Sequence, residues 1–320
     1  MRIVVLDGEM LNPGDNPWDA VSALGEMQVF ARTSADETVE RSLDADILLT
    51  NKVVLDADVL AKLPNLKFIA VTATGYNVVD VKAATARGIP VSNVPVYGTD
   101  SVAQHVMACI LSFIHKPHEH YQAIQAGQWQ ASKSFSFWLS PLTELSGKTM
   151  GIVGLGKIGR ATAKLAAAFG MKVIASSRTH VNPLDVDGFE WKSIEELFSI
   201  ADFVSLHCPQ TPETQGLVNA SLLGAMKPTA VLINTARGGL INESDLADAL
   251  NSDVLAAALL DVVSQEPIVD GNPLLNAKNC VLTPHIAWTT IEARRRLMQT
   301  TADNVAAFLA GSPQNLVAGN

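Results

Sequence analysis

The chain contains 320 residues, of which 48% are hydrophobic and 17% are charged, and its formal net charge is −9. This length is enough for two domains, and the acidic balance argues against nucleic-acid or anionic-membrane partners, which require clustered Lys and Arg. No apolar run approaches the roughly 18 residues that a membrane helix needs, and the first residues show no secretory signal. Because the cysteines, Cys109, Cys208 and Cys280, are few and scattered, we expect a cytoplasmic protein without a metal site.

Short β-rich runs alternate with helical stretches along the chain, which is the pattern of parallel sheets covered by helices. In the first hundred residues the predicted strands are Ile3–Leu6, Gln28–Ala31, Ile47–Thr50, Phe68–Thr72 and Val91–Asn93, with helices such as Asp58–Leu63 and Val78–Arg87 between them. A second set comprises Gly151–Val153, Lys172–Ser176, Phe203–His207, Val231–Asn234, Ala256–Leu260 and Val281–Thr283. The pattern predicts an α/β protein with two doubly wound parallel-sheet domains, 1–99 with 289–320 and 100–288.

Two longer helices are predicted outside these sets. Ser101–Gly127 is largely apolar and should break or bend near Pro117. Ile291–Leu309 follows the last predicted strand and is expected to return to the first domain, with Arg294, Arg295 and Arg296 on its exposed side.

Three histidines, His115, His118 and His120, lie close together around Pro117. Their spacing could suggest metal ligands, but Glu119 is the only acid beside them. A solvated helix end is the better interpretation.

A glycine-rich turn, Gly154-Leu155-Gly156-Lys157-Ile158-Gly159, follows the apolar strand Met150–Val153 and precedes the helical run Arg160–Phe169. Gly154 permits a tight turn, Gly156 lets the backbone approach a pyrophosphate, and Gly159 allows close packing of helix on strand. The helix N-terminus adds oriented N–H groups. This context predicts dinucleotide binding.

The next strand leads into Ser177-Arg178-Thr179. Sites that prefer NAD usually place an acid about 20 residues into the unit to bind the ribose, and none is present here. Ser177 would not repel a 2′-phosphate, and the guanidinium of Arg178 would pair with it. We therefore favour NADP over NAD, the alternative being that Arg178 is a solvated surface residue and NAD is still accepted.

Three later strands each deliver a polar side chain at the carboxyl end, where ligands bind in open parallel sheets. Arg237 follows one strand between Ala236 and Gly238, Glu266 follows the next, and His285 follows the last. Reduction of a keto acid needs a cation for the carboxylate and a proton donor for the alkoxide, and the histidine suits the second task. A carboxylate beside the imidazole would hold it and favour its charged form. Each residue alone is also compatible with a structural role.

At these residues the chain resembles the D-isomer-specific 2-hydroxyacid dehydrogenases along nearly its whole length. The nucleotide loop, His207–Thr214, Asn234–Gly238, Asp261–Pro267 and Thr283–His285 carry the resemblance. It implies that Arg237, Glu266 and His285 are catalytic, with hydride exchanged at nicotinamide C4 and the proton at His285. It also implies a flavodoxin-like substrate domain, 1–99 with 289–320, and a Rossmann domain, 100–288, through which the chains pair as a homodimer.

The resemblance further implies two sets of binding residues. For the cofactor they are Gly154, Gly156, Lys157, Ile158, Gly159, Ser177, Arg178, Thr179, His207, Pro209, Thr214, Thr235, Ala236 and Asp261, with Val102 and Ala103 at the start of the interdomain helix. For the substrate they are Thr74 and Gly75, through backbone N–H groups, together with Arg237, His285 and Trp288.

Within the family the chain looks most like glycerate dehydrogenases, also called hydroxypyruvate or glyoxylate reductases, on His285–Trp288 and Trp138–Leu142. Trp138 is equally compatible with a core or dimer-interface role. A phosphoglycerate or formate dehydrogenase is an alternative, although formate-type enzymes carry glutamine where Glu266 stands. A dinucleotide-sensing binding protein of the corepressor type is a further alternative, which turnover of a 2-keto acid would exclude.

Overall fold

The computed structural model of the chain describes residues 1–180 and 182–318. It divides into two units, one formed by Met1–Gly98 with the segment from Thr289 onward, the other by Thr99–Trp288. Residues 319 and 320, at the end of the predicted first domain, lie outside the described residues.

In the first unit, five parallel strands form a sheet of order β2-β1-β3-β4-β5. The strands are β1 Arg2–Val5, β2 Glu26–Val29, β3 Ile47–Thr50, β4 Phe68–Val71 and β5 Val91–Ser92, and the helices are α1 Asp19–Ser22, α2 Thr38–Ser42, α3 Ala57–Ala61 and α4 Val81–Ala86. Every residue of β3 and β4 is buried, as in sheets covered on both faces. This strand order is the flavodoxin-like one.

In the second unit, seven parallel strands follow the order β12-β11-β10-β9-β6-β7-β8. The strands are β6 Thr149–Val153, β7 Lys172–Ser176, β8 Glu190–Trp191, β9 Phe203–Leu206, β10 Val231–Asn234, β11 Ala257–Leu260 and β12 Cys280–Leu282. The helices are α5 Thr99–His115, α6 Pro117–Gln125, α7 Gln128–Ala131, α8 Lys157–Ala168, α9 Ile194–Ile200, α10 Ala220–Ala225 and α11 Glu243–Asn251. Counted from β6, the order begins 3-2-1-4-5-6, which is that of a Rossmann sheet. The predicted fold class is therefore confirmed.

The predicted break near Pro117 is also confirmed. Lys116 lies in the left-handed region, with φ of 48° and ψ of 49°, and separates α5 from α6. Pro117 then occupies the first turn of α6, where its missing N–H costs no helical hydrogen bond.

The last helix, α12 Ile291–Leu309, belongs to the first unit, as expected. Phe308 stacks on Phe68 of β4, with ring centroids 4.5 Å apart.

The expectation that Arg294 is exposed is wrong, because only 7% of its surface is accessible. Its guanidinium binds both carboxylate oxygens of Asp15, and its Nε donates to the carbonyl of Thr289 at 2.9 Å. Arg295 and Arg296 are exposed.

Candidate active site

The glycine-rich turn joins β6 to α8 in the second unit. Gly154 has φ of +95°, and a Cβ there would lie 2.6 Å from the backbone nitrogen of Cys208. A Cβ on Gly159 would lie 2.2 Å from the carbonyl oxygen of Gly154, whereas one on Gly156 would meet nothing within 4 Å. Gly156 caps α8 without a side-chain hydrogen bond, so the turn presents helix N–H groups beside open space, as a pyrophosphate requires.

The turn is tied to the end of β7. Ser177 Oγ accepts a hydrogen bond from the backbone N–H of Leu155 at 2.8 Å. The next two residues, Arg178 and Thr179, are exposed. A hydrogen bond from the Thr211 side chain lowers the pKa of Glu213, and the positive charge of Arg178 lowers it further. Arg178 therefore interacts electrostatically with an acid of the segment that follows β9.

The segment after β9 contains three of the predicted cofactor residues. His207 Nε2 lies 2.9 Å from Ser205 Oγ, and burial lowers the pKa of its imidazole to about 4, so the ring is neutral at physiological pH. Thr214 Oγ1 donates to the carbonyl oxygen of Pro209 at 2.7 Å and accepts from the backbone N–H of Thr211 at 2.7 Å. These bonds close a compact turn at the edge of the sheet.

The loop after β10 is anchored by Asn234, a fully buried residue. Its side chain accepts from Ala236 N–H at 3.0 Å and donates to the carbonyl oxygen of Arg237 at 2.8 Å. Thr235 Oγ1 is buried and has no hydrogen-bond partner among the described residues. Arg237 is exposed, with Nη1 donating to the carbonyl oxygen of Ala236 at 2.6 Å. The loop thus holds an uncommitted buried hydroxyl beside an accessible guanidinium.

Glu266 and His285 meet after β11 and β12. Glu266 Oε2 lies 2.6 Å from His285 Nδ1, and both side chains are partly accessible, at 32% and 24%. His285 has φ of +55° and donates its backbone N–H to the carbonyl oxygen of Asp261 at 2.8 Å. The predicted pairing of these two residues is therefore present, with the imidazole Nε2 as the atom left to act on a ligand.

The Arg237 loop lies directly against the Glu266 loop. A Cβ on Gly238 would lie 1.9 Å from the carbonyl carbon of Val263 and 2.3 Å from the nitrogen of Ser264. Because β10, β11 and β12 are neighbours in the sheet, their carboxyl ends bring the loops of Arg237, Glu266 and His285 to one edge.

The turn that carries His285 is held by Asp261, which is 2% accessible. Its carboxylate accepts the backbone N–H groups of Ile286 at 2.9 Å and Ala287 at 2.8 Å. The family resemblance implies that Asp261 contacts the nicotinamide. In the structure its carboxylate also holds the backbone of the turn that carries His285.

The remaining predicted residues lie near the first and last residues of the second unit or in the first unit. Val102 and Ala103 are buried in the first turns of α5, at 7% and 1% accessibility. Trp288 is half-buried at the end of the second unit. Thr74 and Gly75 follow β4 in the first unit, where Thr74 Oγ1 donates to the carbonyl oxygen of Val94 at 2.8 Å.

Of the histidines around Pro117, His120 makes two local hydrogen bonds. Leu139 N–H donates to His120 Nε2 at 3.2 Å, so Nδ1 is the protonated nitrogen and donates to the carbonyl oxygen of Lys116 at 2.7 Å. No group of three metal-ligating side chains occurs in the described ranges. None of the helices in those ranges has the length and hydropathy to span a bilayer.

Residues 107–287 match the model of the D-isomer specific 2-hydroxyacid dehydrogenase NAD-binding domain. The chain belongs to this family. The dehydrogenase is 49% identical to the hydroxypyruvate reductase of Blautia hydrogenotrophica over 320 residues, 99% of each chain. It is 40% identical to the glycerate dehydrogenase of Methylorubrum extorquens, over 99% of this chain and 98% of that one. Among solved structures, the acyclic imino acid reductase Bsp5 in complex with NADPH and D-Arg superposes with a TM-score of 0.84 at 31% identity, over 99% of this chain and 100% of that one.

The family membership and the site agree on the cofactor class. An open glycine turn at an uncapped helix N-terminus and the unpartnered Thr235 hydroxyl both fit a nicotinamide dinucleotide. The dehydrogenase is therefore an oxidoreductase that uses such a cofactor.

Several supporting residues were not predicted. Asn234, Glu243, Thr283 and His105 all bind the loops that hold the candidate catalytic residues. Only Asn234 left a signal in the sequence, because an amide at the end of an apolar strand needs a buried partner. The partners of the others are remote along the chain.

Proposed function

We propose that the dehydrogenase reduces a small 2-keto acid of the hydroxypyruvate or glyoxylate type, giving the D-2-hydroxy acid where the product is chiral, with Arg237, Glu266 and His285 as its catalytic residues. The observation that carries this proposal is the 2.6 Å pair of Glu266 and His285 at the sheet edge next to the Arg237 loop. The relatives named hydroxypyruvate reductase and glycerate dehydrogenase, similar over nearly the whole chain, support the substrate class.

Each side chain of the triad has a defined task. His285 donates the proton to the oxygen of the former carbonyl through Nε2, because Nδ1 is bound to Glu266. Glu266 fixes the orientation of the ring through this bond. Arg237 binds the substrate carboxylate and polarises the carbonyl through paired N–H donors. The bound reduced nicotinamide supplies the hydride.

For the substrate carboxylate we propose the backbone N–H groups at Thr74 and Gly75, as the family resemblance implies, and Trp288 as a further contact. The Thr74 backbone is fixed by Asn93, whose Nδ2 donates to the carbonyl oxygen of Thr74 at 2.7 Å. A fixed loop suits recognition of a carboxylate by main-chain donors.

We further propose that NADP is preferred over NAD. Arg178 is exposed at the end of β7, and Ser177 beside it carries no charge that would repel a 2′-phosphate. The structural neighbour Bsp5 was solved with NADPH. The charge of Arg178 contributes to lowering the pKa of Glu213, so this acid would share the guanidinium with the phosphate.

A homodimer is proposed for the second unit. The segment that follows α5 exposes Tyr121, Trp129, Phe135, Trp138, Leu139 and Leu142, with Phe135 92% and Trp138 66% accessible. Monomeric proteins rarely leave so many large apolar side chains together in water. Light scattering should give twice the chain mass, and Phe135→Asp should shift the measured mass to that of the monomer.

We also propose a cytoplasmic location, which the three free cysteines support. Fractionation of cells that produce the protein tests it.

The test of the function is oxidation of NADPH and of NADH, followed by absorbance, with hydroxypyruvate, glyoxylate and a bulkier 2-keto acid. We expect rapid oxidation with the two small substrates and a lower KM for NADPH than for NADH. Tight cofactor binding without turnover of any keto acid would overturn the enzymatic proposal and favour a dinucleotide sensor.

A further inference from the structure

Glu243, the first residue of α11, makes three hydrogen bonds outside its own helix. Oε1 accepts the backbone N–H of Ser264 at 2.6 Å. Oε2 accepts the hydroxyl of Ser264 at 2.9 Å and the side-chain Nδ2–H of Asn272 at 2.8 Å. Both oxygens of the carboxylate are thus used, and all three donors are neutral.

The two partners of Glu243 are the two ends of the loop that carries Glu266. Every residue from Ser264 to Gly271 is exposed except Ile268, which is half-buried. The loop therefore has little apolar packing to fix its conformation. Asn272, by contrast, is buried and also caps the 3₁₀ turn Pro273–Asn276 by accepting the N–H of Leu274. Hydrogen bonds at its ends have to supply the order that a buried core supplies elsewhere.

Glu243 also lies on the same connection as Arg237. The chain passes from Arg237 through the 3₁₀ turn Gly238–Leu240 directly into α11. Gly238 packs against the backbone of Val263 and Ser264, so the Ser264 anchor is shared by the loops of Arg237 and Glu266. The carboxylate of Glu243 reinforces this contact with two bonds to Ser264.

We propose that Glu243 is a positioning residue, which clamps Ser264 and Asn272 and thereby holds Glu266 in place to orient the imidazole of His285. The proposal rests on the function proposed above for Glu266 and His285. An acid in the first turn of a helix is commonly explained by the helix dipole. Here the carboxylate is directed instead to a loop 21 and 29 residues further along the chain. The charge of Glu243 also acts on Cys280: burial and this charge together raise the pKa of the Cys280 thiol to about 12.

The substitution Glu243→Gln tests the clamp with little change in size. Glutamine keeps one accepting oxygen but turns an NH2 group towards a donor, so it cannot accept all three hydrogen bonds at once. We expect kcat to fall about tenfold, because small displacements of a catalytic group are costly, while the Kd for cofactor changes less than twofold. Asp248→Asn, on an exposed residue of the same helix, is the matched control and should leave kcat unchanged.

A double-mutant comparison separates positioning from general damage. If Glu243 acts through Glu266, Glu243→Gln should lower kcat about tenfold in the wild type but less than twofold in a Glu266→Gln background. A tenfold loss in both backgrounds, or an unchanged kcat in the folded single variant, would overturn the proposal. Should Glu243→Gln fail to fold, Ser264→Ala can replace it, because it removes only the bond from the Ser264 hydroxyl. We expect this variant to lower kcat by a smaller factor in the wild type and to have little effect in the Glu266→Gln background.

A second readout does not depend on turnover. The hydrogen bond of His285 Nδ1–H with Glu266 should give a downfield imidazole proton resonance that is lost in His285→Ala. We expect Glu243→Gln to broaden or shift this resonance and Asp248→Asn to leave it in place. An unchanged resonance in Glu243→Gln would overturn the clamp even if the enzyme proved to act on no keto acid. Absence of turnover by the wild type would instead count against the proposed function.

Discussion

The hydroxyl of Thr283 donates a hydrogen bond to Asp261 Oδ1 at 2.6 Å, immediately before the turn that carries His285. Since its only proton is used in this bond, Thr283 Oγ1 must accept from His105 Nε2, which lies 3.2 Å away on α5. Asp261 is thereby supported from two sides while it holds the backbone N–H groups of Ile286 and Ala287.

Replacement of Thr283 by Val should loosen this support. It removes the acceptor that lies 3.2 Å from His105 Nε2 and one of the donors to Asp261 Oδ1, and loss of such a bond costs about 1–3 kcal/mol. We expect a lower free energy of unfolding and about a tenfold lower kcat. Thr283→Ser retains the hydroxyl and is the control in denaturant unfolding and steady-state kinetics. Equal behaviour of the two variants would show that the hydroxyl does not matter.

The replacement of His285 by Ala removes the proposed proton donor. Turnover should fall by about two to four orders of magnitude, because general acid catalysis contributes that much. The cofactor Kd should be preserved, since the glycine turn is untouched, and fluorescence titration can measure it. Near-normal turnover would exclude His285 from this role.

Changing Ser177 to Asp should shift cofactor preference towards NAD. The new carboxylate can still accept the N–H of Leu155, as Ser177 does at 2.8 Å, so the turn is retained while a 2′-phosphate is repelled. Ser177→Ala loses the loop bond without adding charge and should weaken both cofactors alike. The measurement is the ratio of kcat/KM for NADPH and NADH. If this ratio is the same in Ser177→Asp as in the wild type, Arg178 and its neighbour do not contact the phosphate.

A methyl group at Gly238 should separate the Arg237 and Glu266 loops. Its Cβ would lie 1.9 Å from a backbone carbon of Val263, a contact that no side-chain rotation relieves. Gly238→Ala should therefore cost about 3 kcal/mol of unfolding free energy and most of the activity. Gly224→Ala meets nothing within 4 Å in α10 and should change stability by less than about 1 kcal/mol. Comparable stability of the two variants would contradict the close approach.

Asp15 should contribute a pH-dependent share of stability in the first unit. The bond from Arg294 lowers the pKa of Asp15 below its usual value of 3.8, so the folded state binds this proton less readily than the unfolded state. The contribution is then present above pH 3.8 and lost as pH falls through the folded pKa. Asp15→Asn should lower Tm at pH 7, with the gap to the wild type closing below about pH 4. Asp19→Asn, which removes an exposed acid of α1, is the control in the same measurement.

The sequence alone determined the elements whose residues are buried on both faces. The bounds of β3 and β10 were predicted without error, because continuous apolar runs define such strands; those of β7, whose three central residues are buried, were also predicted correctly. By contrast, β2 is an edge strand with exposed residues, and the predicted run was displaced by two residues. The glycine turn and the three strand-end loops could also be predicted, since the carboxyl ends of parallel strands meet at one edge. The roles of the triad stay predictions until they are tested.

Only the tertiary structure decided which polar groups support these loops. His105 reaches Thr283 across 178 residues, and Glu243 reaches Asn272 across 29. Arg294 was misplaced for the same reason, because its partner Asp15 lies 279 residues away. Local periodicity indicates which face of an element is apolar. A buried charge, however, is stable only when the fold brings a partner to it. Such pairings depend on the arrangement of the whole unit, and a linear pattern does not contain them.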